Sequence, residues 1–255
     1  MIMTRSTLVC RVYIGQLELK VLDFSMVAKT FPQVKLAEKD FADIDFVALA
    51  QHYELNTNLI DVSSDIGVAA FFATNVRNPT TKIYEAKNDG LGCIRKFHNP
   101  LIDTDNNKFR MIGLQPFQRP GIQCAFAVKM QKEENFTEHT GKVLFYQDKE
   151  LSKKLHDEFY IQGRNVLFPD EEICQVANVI KSSNKVTKDA LSIYCQQKSK
   201  DYEELIRVLK NNTIEIVDTP LFKLCRQQAR ILERKFKNKP YGDAIIRARL
   251  CYTGN

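Results

Sequence analysis

The chain has 255 residues, of which 44% are hydrophobic and 27% are charged, and its net charge is +6. This composition excludes a disordered chain, and ten Gly with eight Pro exclude a collagen-like or linker-like one. No apolar run approaches the roughly 18 residues that span a bilayer, so we expect no membrane-embedded segment, and no secretory signal is visible. The seven Cys are scattered and never spaced C-x-x-C. That pattern argues against a disulfide framework and against a metal site, and it favours a reducing, cytoplasmic compartment.

The first two thirds of the chain mix strand and helix patterns. The predicted elements, in chain order, are a strand at 17–21, a helix at 40–53, a short strand at 59–62, a helix from 63–65 to about 75, strands at 122–130 and 142–147, and a helix at 148–160. The strand at 122–130 has the most regular alternation, which turns Gln123 away from the face that Phe126 helps to bury. These patterns predict an α+β fold with a mixed, mostly antiparallel sheet and flanking helices.

Positive charge is concentrated in the last part of the chain. Residues 181–255 carry 16 Lys and Arg against 8 Asp and Glu, whereas residues 1–180 carry 21 against 23. This shift, at a polar run, predicts an α+β domain at 1–183 and a mainly helical, basic extension at 184–255.

Within that extension, Thr219-Pro220 is a helix start signal. Two stripes follow at helical spacing: an apolar one with Leu221, Cys225, Leu232 and Phe236, and a basic one with Lys223, Arg226, Arg230, Arg234 and Lys237.

Several segments resemble those of one known family. They are LAQHYELNTNLID at 49–61 with AAFFA at 69–73, QRPGIQCAF at 118–126, and LFPD at 167–170. They are similar to the FRG-domain family, whose central signature runs roughly L-A-Q-H-Y-G-L-P-T-R-L-L-D-W-T. The chain departs from the family where Ile14 replaces the Arg of the name-giving tripeptide. Further departures are Glu54, Asn56, Asn58 and Val62, where the family favours Gly, Pro, Arg and Trp.

The layout of this family resembles that of ADP-ribosyltransferases, so the resemblance implies NAD as a substrate and a macromolecular acceptor. It implies that Ser63 holds the nicotinamide ribose, that Gln123 stands in the place of the catalytic acid, and that His52 lies at the nucleotide. It also implies nucleotide contacts from Tyr13, Arg11, Gln51, Thr57, Asp61 and Arg119. A neutral Gln amide can donate a hydrogen bond, but it cannot stabilise positive charge through a charge of its own.

The same residues have ordinary structural explanations. His52 is also typical of a helix end, where it bonds backbone carbonyls. Asp61, Ser63 and Ser64 are also typical helix caps. Gln123 also fits a solvated strand position, and Arg119 also fits a surface ion pair.

The sequence therefore leaves three functions open. One is a transferase that uses NAD, and another is a catalytically silent binding or regulatory module. The third is a protein that binds nucleic acid, or an acidic partner, through the basic stripe at 223–237. Ile14 and Gln123 favour the second function over the first, and whether the chain is an enzyme stays open.

Overall fold

A computed structural model describes residues 5–40, 43–96, 109–113, 115–129, 135 and 140–239. The helices are α1 (Arg5–Ala28), α2 (Pro32–Lys39), α3 (Phe46–His52), α4 (Ile66–Thr74), α5 (Gln118–Ile122), α6 (Lys149–Glu158), α7 (Glu172–Ser182), α8 (Lys188–Lys198), α9 (Tyr202–Asn211) and α10 (Arg226–Asn238). The strands are β1 (Leu59–Ser63), β2 (Asn75–Arg77), β3 (Tyr84–Ala86), β4 (Leu91–Lys96), β5 (Phe109–Met111), β6 (Ala125–Lys129), β7 (Gly141–Tyr146), β8 (Tyr160–Ile161), β9 (Arg164–Asn165), β10 (Lys185–Thr187) and β11 (Glu215–Val217). The predicted α+β class is confirmed. Among these helices, none is long and apolar enough to cross a bilayer.

The described residues form two compact units. The first unit contains those of 1–57 and 170–240, and the second unit contains those of 58–169. The division that we predict between 183 and 184 rests on charge and on family resemblance rather than on contacts, and it stays a prediction.

Helix α1 organises the first unit. It contacts α3, α7 and α8, and its Leu19, Asp23 and Val27, spaced by four residues, are all buried. The strand predicted at 17–21 is therefore wrong. Three alternating apolar residues also suit a helix that is covered on several sides, because such a helix lacks a single apolar stripe.

A buried carboxylate ties α1 to the start of α8. Asp23 is 1% exposed and accepts hydrogen bonds from the Thr187 backbone N–H at 3.2 Å and from its hydroxyl at 2.5 Å. The Thr187 Oγ1 accepts in turn from the Ala190 N–H, which caps α8. Strand β10 pairs in parallel with β11 beside this contact, and the core here consists of Leu19, Val186, Ala190, Leu191, Tyr194, Leu209 and Ile214.

Helix α10 contacts α2 in the same unit. Its Leu232 and Phe236 are buried, as the predicted apolar stripe requires. The exposed side chains include Arg226, Arg230, Arg234 and Lys237, so the predicted phase of the helix is confirmed over 226–238.

The predicted start of this helix at Pro220 is wrong. The helix begins at Arg226, with the exposed Cys225 as its N-cap, and Leu221 is only half-buried. The Cys225 Sγ accepts from the Gln228 N–H, and the Gln228 side chain accepts from the Cys225 N–H. This reciprocal capping box replaces the predicted Thr-Pro start.

The second unit contains an antiparallel sheet in the order β1-β6-β5, with α4 directly after β1. The pairs β2–β3, β4–β7 and β8–β9 are also antiparallel. Val68, Phe71 and Leu167 form a buried cluster. Strand β6 begins only at Ala125, so the strand predicted from 122 is wrong at its start.

We expect Asp23→Ala to lower the free energy of unfolding by about 2–4 kcal/mol, because it leaves two buried donors of Thr187 without an acceptor. Chemical denaturation measures this change. Glu38→Ala, at an exposed position of α2, is the control and should change the free energy by less than about 0.5 kcal/mol.

The pH dependence of this stabilisation has a defined sign. Burial raises the pKa of Asp23 above its ordinary value of 3.8, and the Thr187 hydrogen bonds offset part of that rise. The folded state therefore takes up the proton more readily than the unfolded state. The stability of the wild type relative to Asp23→Ala should be largest below pH 3.8 and should fall as the pH rises through the folded pKa. A difference that grows with pH would contradict this environment for Asp23.

Candidate functional site

Ser63 is the last residue of β1, where the strand register places it opposite Ala125 of β6. Its Oγ donates a hydrogen bond to the backbone carbonyl of Gln123 at 2.7 Å and accepts one from the Asp65 N–H at 3.1 Å. A hydroxyl has a single proton, and that of Ser63 is used in the bond to Gln123. Ser63 therefore fastens the end of β1 to the residues that precede β6.

Asp65 is the N-cap of α4, and its carboxylate accepts from the Val68 N–H at 3.0 Å. The helix start predicted at 63–65 is thus confirmed, with Asp65 as the N-cap and not Asp61, Ser63 or Ser64. The carboxylate occupies one N–H of the helix end and places negative charge where a phosphate would bind. Asp61, which the family resemblance places at the nucleotide, is exposed on β1.

Gln123 lies at the C-terminal end of α5 and is 6% exposed. Its Nε2 donates to the carbonyl of Leu167 at 2.9 Å. The prediction of a solvated strand position is therefore wrong. The physical reason is the short helix α5, which ends at Ile122 and turns the following residue into the interior.

Arg119 is also 6% exposed, so the surface ion pair suggested for it is wrong. Its guanidinium lies over the ring of Phe168, 5.2 Å from the centroid. The same Phe168 ring stacks on Tyr84 at 4.9 Å. A cation over an aromatic face is attracted by the ring quadrupole, and the attraction grows as water is removed.

These contacts join residues from two of the family-like segments, 118–126 and 167–170, to Ser63 at the end of β1. We call the set Ser63, Arg119, Gln123, Leu167 and Phe168 the motif joint. It lies entirely within the second unit. Ser63 and Gln123, which the resemblance places at one ribose, do lie side by side in it. They meet through the Gln123 backbone, while the Gln123 amide is directed to Leu167.

The predicted site residues at positions 11, 13, 51, 52 and 57 belong to the first unit, whereas Asp61 belongs to the second. His52 is the last residue of α3 and is buried. The Gln51 Oε1 accepts a hydrogen bond from the Thr57 hydroxyl at 2.6 Å, so these two side chains contact each other. Arg11 and Tyr13 are part of α1, but their side chains lie outside the described part of the structure.

Two features of the first unit are not predicted by the sequence patterns. The Tyr53 hydroxyl donates to Glu171, the N-cap of α7, at 2.5 Å. Nothing in the local pattern links residues so far apart in the chain. Glu54 has a φ of 69°, a left-handed conformation that favours Gly. The family signature has Gly at this position, and that Gly is the sequence feature that indicates a left-handed conformation here.

Comparison with known protein families supports the resemblance in the first third of the chain. A model described as FRG domain matches residues 16–82. The chain carries an FRG domain. Neither the curated proteins nor the solved structures contain a significant match to the chain.

The FRG match covers the family-like segments at 49–61 and 69–73. The resemblance of the segments at 118–126 and 167–170 lies beyond it and stays a prediction. The likeness of the FRG layout to ADP-ribosyltransferases stays a hypothesis as well.

We expect Gln123→Ala to lower the free energy of unfolding by about 1–3 kcal/mol, because the buried Leu167 carbonyl loses its donor. Chemical denaturation monitored by circular dichroism measures the loss. Gln197→Ala, at an exposed position of α8, is the matched control and should be close to neutral. A wild-type stability for Gln123→Ala would contradict the structural role of this amide.

Proposed function

We propose that this FRG-domain chain is a non-catalytic binding module. The observation that carries the proposal is the use of the Ser63 hydroxyl and the Gln123 amide within the motif joint. A group that reacts with substrate in every turnover must be able to exchange its hydrogen bonds for those of the substrate. Here such an exchange would break the contacts that connect β1, α5 and the segment at 167–168.

The chemistry of Gln123 supports the same proposal. An oxocarbenium-like transition state is stabilised by negative charge close to the ribose, and a neutral amide supplies none. The Gln123 side chain also uses its N–H group, and not its oxygen, in the hydrogen bond to the Leu167 carbonyl. Hydrogen bonding of this kind favours a role in folding.

We propose nucleic acid as the partner, bound by the exposed basic face of α10. Arg226, Arg230 and Arg234 are spaced by four residues, so they form a row with a rise of about 6 Å between neighbours. The one acid within α10, Glu233, is paired with Lys237 at 2.7 Å. A row of guanidinium groups matches a row of phosphates, because Arg binds phosphate oxygens in a fixed, bidentate geometry.

We place this module in the cytoplasm, since its cysteines show no pairing pattern in the sequence. The free thiols Cys93, Cys124, Cys174, Cys195 and Cys225 in the described residues are compatible with a reducing compartment.

The test of nucleic-acid binding is a triple variant, Arg226→Gln with Arg230→Gln and Arg234→Gln. Fluorescence anisotropy would measure the affinity for labelled single-stranded RNA and for double-stranded DNA over a series of salt concentrations. We expect the variant to bind at least about tenfold more weakly at low salt. The slope of log affinity against log salt should become less steep by roughly two to three, since about three phosphate contacts are removed.

The matched control is Lys149→Gln with Lys153→Gln and Lys154→Gln, which removes the same charge from the exposed face of α6. It should keep most of the wild-type affinity. Equal losses in both triple variants would show binding by net charge alone and would contradict a site on α10. Absence of binding to either nucleic acid, together with binding of an acidic protein that requires the three arginines, would replace nucleic acid by a protein partner.

The transferase hypothesis makes a separate prediction about NAD. The Arg of the family tripeptide is Ile14 here, and losing a charge-assisted hydrogen bond costs roughly one to two decades of affinity. We therefore expect calorimetric titration to give a dissociation constant in the high-micromolar range or weaker, with no release of nicotinamide. Tight binding that is lost in Ser63→Ala and kept in Ser64→Ala, with nicotinamide release, would contradict the non-catalytic proposal.

A further inference from the structure

A small cavity in the first unit is lined by Lys181 and by residues of the FRG-matched part of the chain. Its volume is about 160 Å³. It is lined by Gln16, Leu17 and Lys20 of α1, by residues 54–56 after α3, and by Lys181 of α7. Leu55 is buried, and the lining combines apolar side chains with amide, ammonium and carboxylate groups.

The charge of the cavity lining is uneven. The Lys181 ammonium is paired with the Glu54 carboxylate at 3.1 Å. The Lys20 ammonium instead donates to the backbone carbonyl of Lys181 at 2.9 Å, and no carboxylate of the described residues pairs with it. An ammonium carries three N–H groups, and a neutral carbonyl cannot compensate its charge.

The half-buried position of Lys20 adds a solvation penalty to this imbalance. Burial lowers the pKa of Lys20 from its ordinary value, because the charged form has lost part of its water. A negatively charged group next to the ammonium would offset the penalty and would accept its remaining N–H groups.

We propose that this cavity, which we call the oxyanion pocket, binds a small carboxylate or phosphate at the Lys20 ammonium. Gln16 and Asn56 also line the cavity and carry amide groups that can donate to an oxyanion, and Leu17 adds apolar surface. The volume corresponds to roughly five water molecules at about 30 Å³ each, which suits a ligand of similar size. Pockets for drug-sized ligands measure roughly 300–1,000 Å³, so a dinucleotide is too large for this pocket.

Glu54 gives the pocket a property that the family signature lacks. Its side chain stands where the family favours Gly, and it holds the second ammonium, that of Lys181. Removing the carboxylate charge would release Lys181 toward the ligand. The pocket therefore predicts opposite effects of substitutions at Lys20 and at Glu54, which a purely structural pair would not produce.

The test uses the full chain and measures thermal unfolding in increasing sodium phosphate and, separately, sodium acetate and butyrate. Sodium chloride at the same ionic strength is the reference. A ligand that binds only the folded state raises the midpoint with its concentration, which gives a dissociation constant. We expect Lys20→Met to weaken binding at least about tenfold and Glu54→Gln to strengthen it by up to about fivefold.

Three controls keep the result specific. Lys35→Met removes a charge from an exposed position of α2 and should leave binding unchanged. In the background of the triple arginine variant of α10, Lys20→Met should weaken binding by the same factor, which separates this pocket from the proposed nucleic-acid site. If Lys20→Met does not fold, Leu17→Phe fills the cavity with the charges retained and should abolish binding.

The phosphate series and the carboxylate series show which kind of oxyanion the pocket binds. Binding in either series supports the pocket. Midpoints that match the chloride reference in both series would overturn the proposal. Unchanged binding in Lys20→Met, or in a folded Leu17→Phe variant, would overturn it as well.

Discussion

The hydrogen bond from the buried Gln123 amide to the Leu167 carbonyl is the contact around which the second unit is assembled. The backbone carbonyl of the same residue accepts the Ser63 hydroxyl, so one residue connects β1, the end of α5 and the segment at 167–168. A buried amide without partners would cost free energy, and each partner here comes from a different part of the chain. The geometry of all three segments is therefore coupled.

This coupling bears on what the FRG-like residues do. The side chains that an ADP-ribosyltransferase would direct at its substrate are the ones that the motif joint uses to hold itself together. Arg119 shows the same pattern, because its guanidinium is buried over Phe168 instead of facing solvent. Exposed arginines form a row on α10, and Lys20 lines the oxyanion pocket. We therefore propose that the motif joint serves folding and that the arginine row of α10 and Lys20 serve binding.

Local patterns in the sequence predict those parts of the fold whose causes are local. The strand β1 and the helix α4 follow from a short apolar run and from the cap Asp65, a residue type that stabilises a helix start. The stripe of α10 is confirmed at Leu232 and Phe236, which are four residues apart on a one-sided helix. It is wrong at Cys225, which is exposed, and at Leu221, which is only half-buried, because both precede the helix. Helix α1 is mispredicted because it is covered on several sides, so its apolar residues show no single period.

The candidate site is less accessible to the same reasoning. The family resemblance selects the residues of the motif joint, and Ser63 does lie beside Gln123. What each side chain does depends on partners distant in the chain, such as Leu167 for Gln123 and Phe168 for Arg119. No spacing rule predicts such contacts. The left-handed backbone conformation of Glu54 is not predicted for a different reason. In a sequence, only Gly indicates that conformation reliably.

A double-mutant cycle across Arg119 and Phe168 tests the structural role of the motif joint most directly. Denaturation of Arg119→Met, Phe168→Leu and the double variant measures the coupling between two side chains from separate family-like segments. A direct cation–π contact at a buried site predicts a favourable coupling of about 0.5–2 kcal/mol. Free-energy changes that add to within about 0.3 kcal/mol would show that the two segments do not hold each other, and they would contradict the account.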